Sequence, residues 1–186
     1  MRSRSKASIF WPVVGVITVV DVITKAIAER TLLPRGIPHE VFGEAVRLTL
    51  VYNPGAAFGL NLGPYSRWIF AVLSVVALVI LWRLYRSTEP HDAPRALALA
   101  LVCSGAIGNL LDRVRSVFGV VDFIDIGIGD ARWPTFNVAD MAVSVGAGLL
   151  AWVLRQEDRA AIAESAQLAQ SAVPASASGG KPGDLV

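Results

Sequence analysis

The amino-acid sequence predicts a mainly α-helical membrane protein, in which four transmembrane helices carry a small β-sheet or cradle on the outer membrane surface. Three observations lead there. Only 17% of the 186 residues are charged, against about 25% in a soluble domain, and the mean hydropathy is +0.54. The shortage of charge is uneven, because long apolar stretches alternate with polar ones. Two of the polar connections also hold strand-like runs, Val46-Arg47-Leu48-Thr49-Leu50-Val51-Tyr52 and Val120-Val121-Asp122-Phe123-Ile124; period-two alternation with β-branched residues is the mark of a strand. A soluble enzyme with a large buried core is excluded.

Spans are expected over residues 9–28, 68–85, 96–111 and 139–154. The first follows Arg2, Arg4 and Lys6 and looks superficially like a signal peptide. Its apolar stretch continues through Asp21 and Lys25 without a small-x-small cleavage site, so it reads as an uncleaved first helix. The last two spans fall short of the roughly 20 residues that cross a hydrocarbon core of about 30 Å. They therefore need tilt, mixed flanks or shielding by the other helices. The basic N-terminal tail places both termini in the cytoplasm by the positive-inside rule. Residues 29–67 and 112–138 then form the outer-face loops, with Asn53-Pro54-Gly55 marking a turn. Residues 1–159 form a single membrane domain. The Ala-, Ser-, Gly- and Pro-rich stretch 160–186 is expected to be a disordered cytoplasmic tail.

Composition removes several function classes. The net charge is only +2 and no basic cluster follows Lys6, so nucleic-acid binding has no footprint. A single cysteine, Cys103, excludes an intrachain disulfide and a Cys-built metal cage; among small residues it reads as core packing. His39 and His91 stand far apart with no ligand spacing, so no metal site and no cofactor are expected.

An ionisable residue inside a membrane helix costs about 2.5–3.5 kcal/mol at mid-bilayer, so such residues are where function is sought first. Asp21 and Lys25 sit four apart on one helix face, acid before base, the better order for pairing. They read either as a structural pair or as substrate contacts. Asn53 lies in an ordinary turn, or in one whose small neighbours allow close approach of a bound peptide. Asn109, Asp112 and Arg113 can share a helix face, preceded by Ser104 and Gly108 at helix-packing spacing; they form a structural clamp or part of a site. Asn137 and Asp140 precede the last span, so Asp140 is a helix cap or first-turn acid or a functional group. Ala142 and Gly146 form a second small-residue seam. In the loop 112–138, Asp122 is embedded between Val120-Val121 and Phe123-Ile124 and must be either partnered or catalytic, whereas Asp130 beside Gly129 looks like a turn residue.

No Ser-His or Cys-His pair is available. A Ser-Lys dyad through Lys25 conflicts with Asp21, whose nearby anion favours the charged ammonium. Aspartates at the outer ends of the third and fourth helices point instead to a carboxylate pair. One member holds a proton while the other activates water, which is acid–base peptide hydrolysis without a covalent intermediate or a metal.

At these residues the sequence resembles the bacterial lipoprotein signal peptidases, or signal peptidase II family, from Val19 to about Leu150. The blocks are Asp21-x-x-Thr24-Lys25, Asn53-x-Gly55-Ala56-Ala57-Phe58, Gly108-Asn109-x-x-Asp112-Arg113, Val120-Val121-Asp122-Phe123-Ile124-Asp125 and Phe136-Asn137-x-Ala139-Asp140. The resemblance implies an aspartic endopeptidase of the bacterial inner membrane. It would remove the signal peptide from diacylglyceryl-modified prolipoproteins, cutting on the N-terminal side of the lipidated Cys. Its partners would be those substrates and membrane lipids, and nothing requires more than a monomer. The implied catalytic dyad is Asp122 and Asp140. Asn53, Gly55, Asn109, Arg113 and Asn137 match substrate-binding positions, with Asp21, Lys25 and Asp112 in support. On spacing alone Asp112 competes with Asp122; Asp122 is preferred because the family dyad maps there and because Arg113 stands beside Asp112. Residues 51–60 are expected to act as a mobile lid. Pro54 falls where the family pattern is variable, and the tail lies outside the resemblance. Two other classes remain in view. A small transporter could use Asp21, Asp112 and Asp140 as a relay, and a scaffold could pack through the small residues. The first leaves the clustering towards one face unexplained, and the second leaves Asp122 and both Asn-x-x-Asp arrangements unexplained.

Overall fold

A computed structural model describes residues 5–55, 60 and 62–171. The chain divides into two units, residues 1–150 and 151–186. Helices α1 (Lys6–Thr31), α2 (Ser66–Ser87), α3 (Ala93–Arg115) and α4 (Val138–Ser171) include four segments long and apolar enough to cross a membrane, in α4 over Val138–Leu168. The two short spans are lengthened by mixed flanks. Helix α3 starts at an Asp92 cap, whose Oδ1 accepts the Arg95 N–H at 3.0 Å, with a proline in the first turn. It then runs past Leu111 through Asp112 and Arg113. In the second unit, residues 151–171 are helical, so the disorder expected from residue 160 does not hold over 160–171. Ala, Glu, Gln and Leu dominate that stretch, and their helix propensity continues α4. Residues 172–186 lie outside the described residues.

In the first unit, one end of α1 is tied to α2 and α3 by Phe10, Leu81, Tyr85, Leu99, Ala100 and Cys103, with Phe10 stacked on Tyr85 at 4.0 Å. Cys103 is core packing, as expected. The Lys6 ammonium donates to the carbonyls of Tyr85, Arg86 and Thr88, which occupies acceptors that the end of α2 leaves open.

The opposite end of α1 carries the sheet. Strands β1 (His39–Phe42), β2 (Val46–Asn53), β3 (Val120–Ile128) and β4 (Ala131–Arg132) form one antiparallel sheet in the order β1-β2-β3-β4. Both alternating runs seen in the sequence are strands, and they pair with each other, so that Val51 lies opposite Asp122 and Asn53 opposite Val120. Successive side chains of a strand point to opposite faces. Val121 and Phe123 therefore pack with Leu50 onto Ala28 and Leu32, while Asp122 turns the other way. Asp125 ties three strands together: it accepts hydrogen bonds from Arg47 and Thr49 on β2 at 3.3 and 3.1 Å and from Arg132 on β4 at 2.6 Å.

Close helix approach uses small residues. A Cβ at Gly108 would collide with the Asp21 carboxylate, and one at Gly146 would come within 2.9 Å of the Ala98 carbonyl oxygen. Gly105 plays the same part against the Ala139 carbonyl.

Candidate active site

The site is assembled where α1, α3, the N-terminus of α4 and the β2–β3 pair meet. At the start of α4, Asn137 Oδ1 accepts the Asp140 N–H at 2.9 Å, and Asp140 Oδ2 accepts the Asn137 N–H at 3.2 Å. This reciprocal pair is a capping box. Asp140 is thus a first-turn acid in a cap, and the same capping places its carboxylate at the positive end of the helix dipole.

Lys25 is fully buried and binds three acceptors: Asp21 Oδ2 at 2.8 Å, Asp112 Oδ2 at 2.9 Å and Asn109 Oδ1 at 3.0 Å. Asn109 Oδ1 also accepts from Asn137 Nδ2 at 3.2 Å. With its oxygen facing two donors, the Asn109 amide must turn its NH2 towards Asp140 Oδ1, 2.8 Å away. The second oxygen of Asp21 accepts the Ala139 N–H at 2.9 Å, which locks α1 to the first turn of α4.

Asp122 takes Asn137 Nδ2 on Oδ1 at 2.7 Å and Asn53 Nδ2 on Oδ2 at 3.2 Å. The Asn137 amide nitrogen also lies 3.2 Å from the Val121 carbonyl. Asn137 is therefore the link between the two carboxylates, a donor to Asp122 and a cap for Asp140. Asp122 is only 3% exposed. Burial, and then the charge of Asp140, push its pKa up to about 7.

Both carboxylates line a cavity of about 790 Å³, together with Asn53, Asn109 and Arg113 and with an apolar wall that includes Val51, Phe136, Met141 and Val143. Asn137 is fully buried and does not line it. Asp21, Lys25 and Asp112 are also buried and stand outside the lining. Gly55 is buried as well; its carbonyl accepts Arg113 at 2.9 Å and its N–H donates to Asn53 Oδ1 at 3.0 Å. Arg113 thus holds the turn that follows β2. Gly119, just before β3, meets that turn, and at φ +98 with the Asn53 carbonyl against it, no Cβ fits there. Of the expected lid, residues 56–59 lie outside the described residues. Asp112 is paired with Lys25 and with Arg115 at 2.9 Å, and Arg113 turns to backbone carbonyls. The sequence reading missed Arg115, although its i, i+3 spacing from Asp112 was available as a signal. Among the described residues, no group of three His, Cys, Asp or Glu side chains is arranged to hold a metal ion.

Buried ion pairs and two aspartates at one cavity, on four helices long and apolar enough to cross a membrane, fit the class of multi-pass membrane enzymes. The fold supports this class. The chain aligns with a solved bacterial membrane enzyme at a TM-score of 0.75 and 28% identity, covering 85% of this chain and 94% of that one. A second such structure gives 0.71 at 28% identity, covering 83% and 97%. The chain belongs to the signal peptidase II family, whose description "Signal peptidase (SPase) II" matches residues 13–155. It is therefore a membrane peptidase. Among its relatives, the lipoprotein signal peptidase of Desulforapulum autotrophicum is 45% identical over 139 residues, covering 70% of this chain and 82% of the relative. That of Polynucleobacter necessarius is 44% identical over 124 residues (64% and 73%), and that of Burkholderia thailandensis 37% over 154 (80% and 90%).

Proposed function

We infer that this peptidase removes the signal peptide from diacylglyceryl-modified prolipoproteins of the inner membrane, cutting on the N-terminal side of the lipidated Cys. In this reading Asp122 and Asp140 are the catalytic pair and no metal takes part. The observation that carries it is the Asn137 bridge, which holds both carboxylates at one cavity wall while each keeps its own hydrogen-bond partners. Asp122, buried and facing a second carboxylate, holds the shared proton. Asp140, held by the Asn109 amide and the Asn137 N–H at the α4 N-terminus, acts as base. Asp140 takes a proton from water as the oxygen attacks the scissile carbonyl, and Asp122 protonates the carbonyl oxygen. The tetrahedral diol then collapses: one hydroxyl returns its proton to Asp122 as the C=O re-forms, and the proton on Asp140 passes to the leaving amine as the C–N bond breaks. Asn53, Asn109 and Arg113, which line the cavity, position the substrate; the buried Asn137 and Gly55 act by holding the two carboxylates and the turn after β2, with Asp21, Lys25 and Asp112 in support. The apolar wall suits an apolar signal helix. Both termini face the cytoplasm and the site opens at the outer face, where the scissile bond of a membrane-embedded signal peptide lies.

The test is cleavage of a diacylated prolipoprotein peptide by the detergent-purified protein with EDTA present, read by mass spectrometry. A product beginning at the lipidated Cys is expected. No cleavage by folded protein, cleavage elsewhere, or loss of activity with EDTA would overturn the reading.

A pH dependence follows. The protonated form of Asp122 is the acid, so kcat/KM is expected to fall as pH rises through about 7. The limb belongs to the pair rather than to one residue. A profile that is flat from pH 6 to about 9 would mean that no group of this kind gates turnover.

A further inference from the structure

Arg115, the last residue of α3, stands outside the cavity, but its contacts lead to both proposed catalytic carboxylates. Nε and one terminal nitrogen of its guanidinium both lie 2.9 Å from Asp112 Oδ1. The same terminal nitrogen is 3.4 Å from Glu29 Oε2, and Glu29 Oε1 accepts the Tyr52 hydroxyl at 3.0 Å. The other oxygen of Asp112 looks inward, to Lys25 at 2.9 Å and to the Val121 N–H at 3.2 Å. Asp112 therefore divides its two oxygens between an outer clasp and the interior of the site.

Each inner contact continues to a carboxylate. Val121 precedes Asp122, and both of its backbone groups are held, the N–H by Asp112 and the carbonyl by Asn137. Lys25 orients the Asn109 amide that donates to Asp140. The charges point the same way. Asp21, Lys25 and Asp112 are 0%, 0% and 2% exposed at the side chain, with two negative charges against one positive. A buried excess charge is costly unless it is paired, and Arg115 supplies the second cation that is ion-paired with this group. The Arg115 side chain is itself 42% exposed, and exposed ion pairs contribute little. Its partner is almost wholly buried, however, so removing Arg115 leaves Asp112 Oδ1 without that donor and little water to replace it.

We propose that Arg115 is a positioning residue for the peptidase reaction: by neutralising and orienting Asp112, it holds Asp122 through Val121 and Asp140 through Lys25 and Asn109. This rests on the reading of Asp122 and Asp140 as the reacting pair. The test is steady-state cleavage of a diacylated prolipoprotein peptide by the full chain in lipid-doped micelles. Wild type is compared with Arg115→Gln, Arg115→Lys, Glu29→Gln and Asp140→Asn, each checked by thermal melting. Arg115→Gln is expected to lower kcat about tenfold with KM within about twofold, as for an interaction that matters in the transition state and not in substrate binding. Arg115→Lys restores the charge without the fork and should recover about half of that kcat loss. Glu29→Gln should stay within about threefold of wild type, because Asp112 keeps Arg115. Wild-type kcat in Arg115→Gln, a loss lying wholly in KM, or no recovery in Arg115→Lys would overturn the proposal.

Should Arg115→Gln not fold, deuterium uptake over residues 119–124 decides between wild type and Arg115→Lys. Faster uptake there with unchanged uptake in α2 is expected, and equal uptake overturns the clasp. A wild type that does not cleave, or an Asp140→Asn variant that does, overturns the reacting pair and this inference with it. Failure of the Arg115 variants alone leaves the pair intact.

Discussion

Asp122→Asn and Asp140→Asn are each expected to lower kcat/KM for a diacylated prolipoprotein peptide by at least about a thousandfold, whereas Asp112→Asn keeps measurable turnover. The reason lies in what an amide can and cannot do at each place. At Asp122 the carboxylate faces two amide donors, Asn137 Nδ2 at 2.7 Å and Asn53 Nδ2 at 3.2 Å. An Asn there sets its own NH2 against one of them and has no proton to give a carbonyl. At Asp140 the oxygens face Asn109 Nδ2 and the Asn137 N–H, so an Asn loses half of the cap and all of the basicity. At Asp112 the amide oxygen can still accept Arg115 or Val121, and what is lost is the charge opposite Lys25. That weakens the support while leaving the cavity wall in place, since Asp112 is not part of the lining. Thermal melting of all three variants separates folding from turnover. Loss in Asp112→Asn with survival in Asp122→Asn would move the pair to Asp112 and Asp140.

These residues also show what the sequence made legible. The four spans and both strand-like runs were visible because apolar length and period-two alternation are local properties. That β2 and β3 pair with each other was not, because the pairing joins residues as far apart as Val46 and Ile126, and no local pattern encodes it. Asp21 and Lys25 could be placed on one helix face from their spacing, but the third partner, Asp112, lies on another helix. The last helix was expected too short and the tail too early, because a run of small residues reads equally as linker and as helix.

Asp140 shows a different limit. Its two sequence readings, a helix cap and a functional group, looked like alternatives, yet the capping box with Asn137 is the device that holds the carboxylate at the cavity. A cap residue whose second oxygen is free to bond elsewhere satisfies both descriptions. The orientation of the Asn109 amide could not be read at all, since it depends on Lys25 arriving from α1. Arg115 was overlooked because an exposed basic residue at a helix end is ordinary, and only the burial of its partner makes it unusual.

The second large effect is expected at Lys25. Lys25→Met should destabilise the folded protein by about 3–5 kcal/mol, the range for removing one partner of a buried ion pair, and should abolish cleavage. The methionine fills much the same space, so the cost is electrostatic: Asp21 and Asp112 lose the ammonium 2.8 and 2.9 Å away, and Asn109 Oδ1 loses its donor. Lys25→Arg should not restore the protein, because a planar guanidinium does not fit a site where Lys25 is fully buried between three acceptors. The double variant Lys25→Met with Asp21→Asn separates the two roles of this lysine. The amide oxygen that Asp21→Asn introduces would still accept the Ala139 N–H, and Asp112 keeps Arg115, so the buried group is again neutral. Its melting temperature in detergent should rise above that of Lys25→Met, while turnover should remain lost, because the Asn109 amide is no longer oriented towards Asp140. Recovery of both stability and turnover would mean that Lys25 acts only as a counter-ion and that Asn109 finds its orientation from Asn137 alone. Recovery of neither would mean that the Lys25–Asp112 contact, and not the charge balance, holds α1 against α3.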